Sequence, residues 1–272
     1  MGQLDRDALE FTWFYSEELH REKTVADLAA RFADALAGLA RHAARPGTGG
    51  RTPSDFPLAR LDQHAVDRVV GDDPGAVEDV HPLTPTQAGM LFHGLSQDER
   101  GAYFQQLTFV LDGTPDPDAL AAAWQRVGDR TPVLRAHVVW QDVPEPLLVV
   151  RRHATVPVTH EDWREVPASE RDSRLRELLD RDRERGIDLG RAPLQRLVLV
   201  RLTDDSVRVV WSFHHLILDG WSLFQVLSDV FACHALPAGD TGTAADAALP
   251  ERRPFRDYVA WLAEQDPVEA ER

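Results

Sequence analysis

Apolar residues along this chain recur with two spacings, one helical and one alternating, and the switches between them mark out the elements. Near the start, Leu9-Glu10-Phe11-Thr12-Trp13-Phe14-Tyr15 has the aromatic and β-branched content of a strand. Thr24 then reads as a helix N-cap with Asp27 three positions on, and Val25, Leu28, Phe32, Leu36 and Leu39 form one apolar stripe along the helix that follows. A lone strand and helix cannot bury both apolar faces, so 1–44 is expected to be the tail of something larger. From 45 to 77 the pattern dissolves. Arg45-Pro46-Gly47-Thr48-Gly49-Gly50-Arg51-Thr52-Pro53-Ser54-Asp55 is dense in breakers, a short amphipathic turn runs from Leu61 to Val70, and Gly71-Asp72-Asp73-Pro74-Gly75 breaks the chain again. This stretch is expected to be a linker.

From 78 to 272 the two periods alternate, which predicts one α/β lobe with helices packed on a mostly antiparallel sheet. Gln87 to Leu95 reads as helix and Phe104 to Leu111 as strand. Asp116 caps a helix with Pro117 at its first position, where the missing N–H does no harm, and Leu120, Ala123, Trp124 and Val127 face inward from it. Val133 to Trp140 and Leu147 to Val150 read as strands, and Ser169 to Arg185 as a charged amphipathic helix. Leu194 to Leu202 and Val207 to Phe213 form a hairpin around Thr203-Asp204-Asp205-Ser206. Trp221 to Ala232 and Phe255 to Glu264 read as helices, and the Ala/Gly/Thr/Asp-rich stretch from Pro237 to Pro250 as a mobile loop.

Composition narrows the function classes. A net charge of −15 argues against sequence-independent nucleic-acid binding, which depends on Lys and Arg displacing counterions. No apolar run approaches the roughly 20 residues of a bilayer span, and the polar start lacks the basic and apolar regions of a signal peptide, so the expectation is a cytoplasmic protein with no membrane partner. The single cysteine, Cys233, follows an apolar run and reads as a buried spectator.

The segment that carries chemistry follows the strand Val207 to Phe213. Two histidines, His214 and His215, end it; Asp219 and Gly220 come four and five residues after His215, and Trp221-Ser222 opens the next helix. A histidine at a strand end sits on rigid backbone yet can face a cleft, and an imidazole exchanges protons near neutrality. A nearby carboxylate can order the loop, and a glycine lets a substrate approach the backbone. Three readings stay open on spacing alone: a buried histidine pair that packs the hairpin, a metal site, and acyl transfer assisted by His215. The metal reading is short of ligands, with no HExxH spacing and no cysteine nearby, and none is assigned.

The string His214-His215-Leu216-Ile217-Leu218-Asp219-Gly220-Trp221-Ser222 resembles the HHxxxDGWS motif of nonribosomal peptide synthetase condensation domains, which belong to the chloramphenicol-acetyltransferase-like acyltransferases. Three other segments agree in order. His81-Pro82-Leu83-Thr84-Pro85-Thr86-Gln87-Ala88-Gly89-Met90-Leu91-Phe92-His93 resembles that family's opening "YPLTPMQxGMLFH", Arg130-Thr131-Pro132-Val133-Leu134-Arg135 resembles "RHPVLR", and Phe255-Arg256-Asp257-Tyr258-Val259-Ala260-Trp261-Leu262 resembles "YxDYxxWL". Thr131 stands where the family often has His, Ala136 and His137 replace a usual Thr-x-Phe, and His81 replaces a common Tyr; these read as packing variation. The tail 1–44 resembles the last strand and helix of an epimerization or condensation domain, and Thr52-Pro53-Ser54-Asp55-Phe56-Pro57-Leu58-Ala59 resembles the linker after epimerization domains.

The resemblance implies a chloramphenicol-acetyltransferase-like lobe, 78–272, that forms an amide between an acyl or peptidyl thioester and an aminoacyl acceptor. Both substrates would arrive on upstream and downstream peptidyl carrier proteins, tethered to 4'-phosphopantetheine arms, among neighbouring synthetase domains, with no cofactor bound directly. It implies His215 as base or amine-positioning residue, Gly220 as the residue that keeps the tunnel open near the thioester, His214 as support, and Trp221 and Ser222 as substrate contacts. It further implies that Asp219 is structural, a buried carboxylate paired with Arg135 beneath the loop. Two alternatives share the loop: an epimerization domain, which would move a proton at the α-carbon, and an inactive fragment that docks carrier proteins. The family's second lobe is expected after Arg272, so one lobe alone is not expected to turn over at a useful rate.

Overall fold

The computed structural model describes residues 2–5, 8–45, 49–95, 101–114, 116–236 and 249–265. It divides into two compact units, Met1–Gly50 and Arg51–Arg272. In the first, strands β1 (Gly2–Asp5) and β2 (Ala8–Phe11) pair antiparallel, so the expected strand over 9–15 ends at Phe11. Helix α1 (Glu22–Ala43) begins before Thr24: Arg21 is its N-cap, no side chain caps it, and Glu22 places an acid in the first turn. The N-cap expected at Thr24 therefore lies inside the helix. The Phe32 ring meets Phe11 and Trp13 edge-on at 5.0 and 5.6 Å, yet no residue of α1 is buried and Leu28 and Leu39 stay exposed.

In the second unit, strands β3 (Val77–Pro82), β6 (Leu147–Arg151) and β5 (Ala136–Val139) form an antiparallel sheet in that order. A second sheet runs β4 (Phe104–Asp112), β9 (Ser206–His214), β8 (Gln195–Arg201), β7 (Val158–Asp162). Its first two pairings are antiparallel and β7 joins β8 in parallel. The expected hairpin is the β8–β9 pair and supplies the two central strands. The expected strand over 133–140 is split, because Pro132–Arg135 forms a 3₁₀ turn before β5.

Side-chain alternation distributes the strands over three cores. Leu148 and Val150 of β6, Leu197 and Leu199 of β8, and Val207, Val209, Trp211 and Phe213 of β9 join the main core with helices α4 (Pro117–Arg130) and α6 (Gly220–His234). Cys233 lies buried in this core and forms no disulfide. On the opposite face of the second sheet, Val200 and Val210 pack under α5 (Ala168–Arg185) with Trp163 and Leu178. There Asp182 accepts hydrogen bonds from Arg196, Ser212 and Gln106, tying α5 to three strands.

The third core corrects the expected linker. Phe56, Ala59 and Leu61, with Ala65, Val66, Val69 and Val70 of α2 (Gln63–Val70), pack against Val77, Val80, Leu147 and Val149. The breakers shape turns here rather than unfolding the chain. Thr52 and Asp55 close a capping box, Asp62 caps α2, and the Arg51 guanidinium donates to the carbonyls of Pro74 and Val77. Helices α3 (Pro85–Leu95) and α7 (Phe255–Ala263) complete the described α-helices. Most of the expected loop from 237 to 250 lies outside the described residues.

Candidate active site

Strand β9 delivers the histidine pair. At its end the His214 amide donates to Leu194 O at 3.0 Å and the His215 amide to Tyr103 O at 2.8 Å, so the residues just before β8 and β4 grip the backbone. The chain then turns, with Ile217 N donating to His214 O, and drops Leu216, Ile217 and Leu218 into the main core. This apolar triplet anchors the loop. It re-emerges at Asp219, whose carboxylate caps α6 by accepting from Ser222 N at 2.7 Å.

The two imidazoles differ in environment. His214 is buried, its Nδ1 accepts from Leu216 N at 3.2 Å, and burial, with the neighbouring His215, holds its pKa down to about 4. It is neutral at pH 7. His215 is half-buried and lines a cleft of about 980 Å³. Its Nδ1 is hydrogen-bonded to the Leu218 carbonyl. A carbonyl only accepts, so Nδ1 carries the proton and, in the neutral ring, Nε2 holds a free lone pair. His214 is thus packed inside the lobe and His215 faces the cleft.

The facing walls come from β3–α3, the 130–133 turn and the start of α7. Thr84 and Gln87 form a capping box at the start of α3: Gln87 Oε1 accepts from Thr84 N at 2.9 Å and Thr84 Oγ1 accepts from Gln87 N at 3.3 Å. Gln87 Nε2 then reaches across to donate to Leu216 O at 3.0 Å. Asp79 pairs with Arg256 at 3.3 Å; burial raises its pKa, and Arg256 and His81 oppose that rise. Burial lowers the pKa of His81, whose Nδ1 lies 3.1 Å from Pro82 O. Arg252 grips Asp229 with two nitrogens, at 3.0 and 2.8 Å, and Gln225 with the third at 2.7 Å. The sequence reading missed Gln87, Asp79 and Arg252, although the Thr84-Pro85-Thr86-Gln87 box was visible as a capping signature.

The structure brings His215, Asp219 and Ser222 to the cleft. It places His214 and Arg135 behind, and Trp221 on the surface at 83% exposure. A Cβ on Gly220 would meet nothing within 4 Å, and its φ is not in the left-handed region. The expected Arg135–Asp219 pair is not formed. Arg135, buried at the end of the 3₁₀ turn, donates to Glu78 at 2.7 Å and to the carbonyls of Gly128, Arg151 and Arg152. These acceptors surround its guanidinium, while Asp219 is exposed and spends its carboxylate on the α6 N-terminus, which also lowers its pKa. Among the described residues, no helix is long and apolar enough to cross a membrane.

A two-sheet α/β lobe, with strand β9 ending in a cleft-facing His-His-x-x-x-Asp-Gly loop, has the chloramphenicol-acetyltransferase-like fold. The Condensation domain family model matches residues 77–272, and the chain belongs to that family, found in nonribosomal peptide synthetases. A linear gramicidin synthase polypeptide of Brevibacillus parabrevis is 42% identical over 96% of this chain, and a second linear gramicidin synthase polypeptide of the same organism is 40% identical over 98%. The chain spans only 5% and 3% of those two relatives. Among solved structures, the tallysomycin biosynthesis protein TlmII is similar with 28% identity and a TM-score of 0.52, over 70% of this chain and 43% of that one. A structure described as the molecular basis for condensation domain-mediated chain release from the enacyloxin polyketide synthase shares the fold, with 22% identity and a TM-score of 0.54, over 98% of this chain and 46% of that one.

Proposed function

We propose that this lobe forms the amide bond between a carrier-bound acyl or peptidyl thioester and a carrier-bound aminoacyl group. The observation that carries the reading is the His215 ring, which lines the cleft with Nδ1 held by the Leu218 carbonyl. The acceptor amine attacks the thioester carbonyl, so a C–N bond forms and the C–S bond breaks. Nε2 of His215 accepts the amine proton and returns it to the leaving thiolate. Such a base contributes about 10²–10⁴-fold, whereas orienting the two reactants can account for about 7–11 kcal/mol of the barrier. The same lone pair also orients the amine, so base and positioning roles share one atom.

Gly220, with open space where a side chain would project, leaves room for the thioester arm, and Ser222 and Trp221 contact substrate at the start of α6. The upstream and downstream partners are peptidyl carrier proteins bearing phosphopantetheine, in a cytoplasmic synthetase. Residues 1–44 are the end of a preceding epimerization or condensation domain, a reading supported by the unburied stripe of α1 and by the alignment over 96% of the chain. The test incubates donor- and acceptor-loaded carriers with the synthetase carrying this sequence, in D₂O, and reads the products by mass spectrometry. Dipeptidyl product that is lost in His215→Ala supports condensation; no dipeptide from the parent, with α-deuteration that is lost in His215→Ala, would overturn it in favour of epimerization.

A further inference from the structure

Gln87 stands apart among the residues facing the loop. It is 5% exposed, and its side chain spends both polar atoms on fixed partners. Its Oε1 accepts from the Thr84 amide at 2.9 Å and from Thr84 Oγ1 at 3.2 Å. The amide orientation is thereby determined, since an N–H donor must face an oxygen. Nε2 is left to donate, and it does so to Leu216 O at 3.0 Å, a carbonyl 129 residues away. That carbonyl belongs to a buried residue between the two groups that define His215: the ring itself and the Leu218 carbonyl bonded to its Nδ1. A buried carbonyl without a donor is costly, so losing the Gln87 contact would make the loop turn to seek another partner. Rotating the peptide at 216 tilts the Leu218 carbonyl two residues on, and the proton on Nδ1 loses its acceptor.

We propose that Gln87 is a positioning residue for the reaction, holding the Leu216 carbonyl so that the loop presents His215 with its proton on Nδ1 and its lone pair on Nε2. The role rests on the reading of His215 as the group that meets the acceptor amine, but the geometry it sets exists without substrate. A helix cap alone would need only Oε1, and the nitrogen makes the link to the catalytic loop.

Gln87→Glu separates the two functions. A carboxylate keeps the Thr84 contacts and the α3 cap, but it donates nothing and sets an oxygen against the Leu216 carbonyl. The ¹⁵N shifts of the His215 ring, read in this chain by NMR, report the tautomer directly. In the unsubstituted protein Nδ1 is expected to be the protonated nitrogen. In Gln87→Glu, with folding verified by a cooperative melt, the two nitrogens are expected to average toward a mixed state. In the synthetase, kcat is expected to fall about 10²-fold, the loss typical of a small misplacement at a reacting centre, with little change in acceptor KM and a displaced pH profile. If Gln87→Glu does not fold, Gln87→Met fills a similar volume and donates nothing, and Thr84→Val, which weakens the cap but leaves the Gln87 nitrogen on Leu216 O, serves as its control. A folded variant with unchanged His215 shifts and unchanged kcat would overturn the proposal. A shifted tautomer in a protein whose unsubstituted form makes no amide would support it while defeating the condensation reading.

Discussion

Replacing Asp219 with alanine discriminates between the contact this structure shows and the one the sequence suggested. The carboxylate is exposed and accepts the Ser222 backbone N–H at 2.7 Å at the start of α6. Losing an N-cap of this kind costs about 1 kcal/mol, within a range of about 0.5–2. For a chain of this size that is a shift of about 2–4 °C in melting temperature. Removing one partner of a buried ion pair would cost about 3–5 kcal/mol, because the abandoned charge stays buried. The two accounts therefore differ by a factor resolvable in a urea melt. The pH dependence adds a second check. The folded carboxyl titrates below its ordinary 3.8, so the cap's contribution is full above that value and is lost as pH falls through the lower folded pKa. Asp219→Ala should thus lie closer to the parent protein at low pH than at pH 7. A loss of 3 kcal/mol or more, approximately, with coupling to Arg135 above about 1 kcal/mol in a double-mutant cycle, would refute the capping assignment.

Three further outcomes follow from the same contacts. Asp182→Ala should destabilise the domain by about 3–5 kcal/mol in urea melts, since it takes the carboxylate from the buried Arg196 and from Ser212; a loss below about 1 kcal/mol would show that Arg196 finds enough partners without it. His214 and His137 are both pushed down from 6.5 to about 4 by burial, so the unfolded chain takes up protons first and stability falls as pH drops from 6.5 toward 4; equal urea midpoints at pH 7 and pH 5 would contradict this, and His137→Val should reduce the fall. Gly220→Ala should leave the melt within about 0.5 kcal/mol of the parent, because a surface change away from strained backbone costs little, yet lower turnover; full turnover would remove the thioester arm from that position.

Elements with a local signature were legible in the sequence. Asp116-Pro117 announced α4, whose cap the structure forms with a bond from Asp118 N to Asp116 at 2.9 Å, and the alternation around Thr203–Ser206 announced β8 and β9. The histidine loop was legible because its chemistry is sequential. What the sequence hid depends on partners far away. Strand β3 reads as polar because Glu78, Asp79 and His81 interrupt it, and it becomes a strand only beside β6, some 70 residues later. The apolar anchors at Phe56 and Leu61 sat among prolines and glycines, and only the outer face of β3 and β6 gives them a place to bury. The Arg135–Asp219 pair was inferred from a carboxylate beside an apolar triplet. The triplet turns inward and the carboxylate outward, which spacing alone does not reveal.

The central claim is that His215 carries the proton transfer of amide formation. Its most direct test is a single-turnover measurement, in the synthetase carrying this sequence, of dipeptidyl product from pre-loaded donor and acceptor carriers, comparing the parent with His215→Ala and with His214→Ala as a control for folding. The account predicts that His215→Ala keeps its melt and slows the amide-forming step by about 10²–10⁴-fold. A folded His215→Ala protein that forms the amide at the parent rate would contradict it.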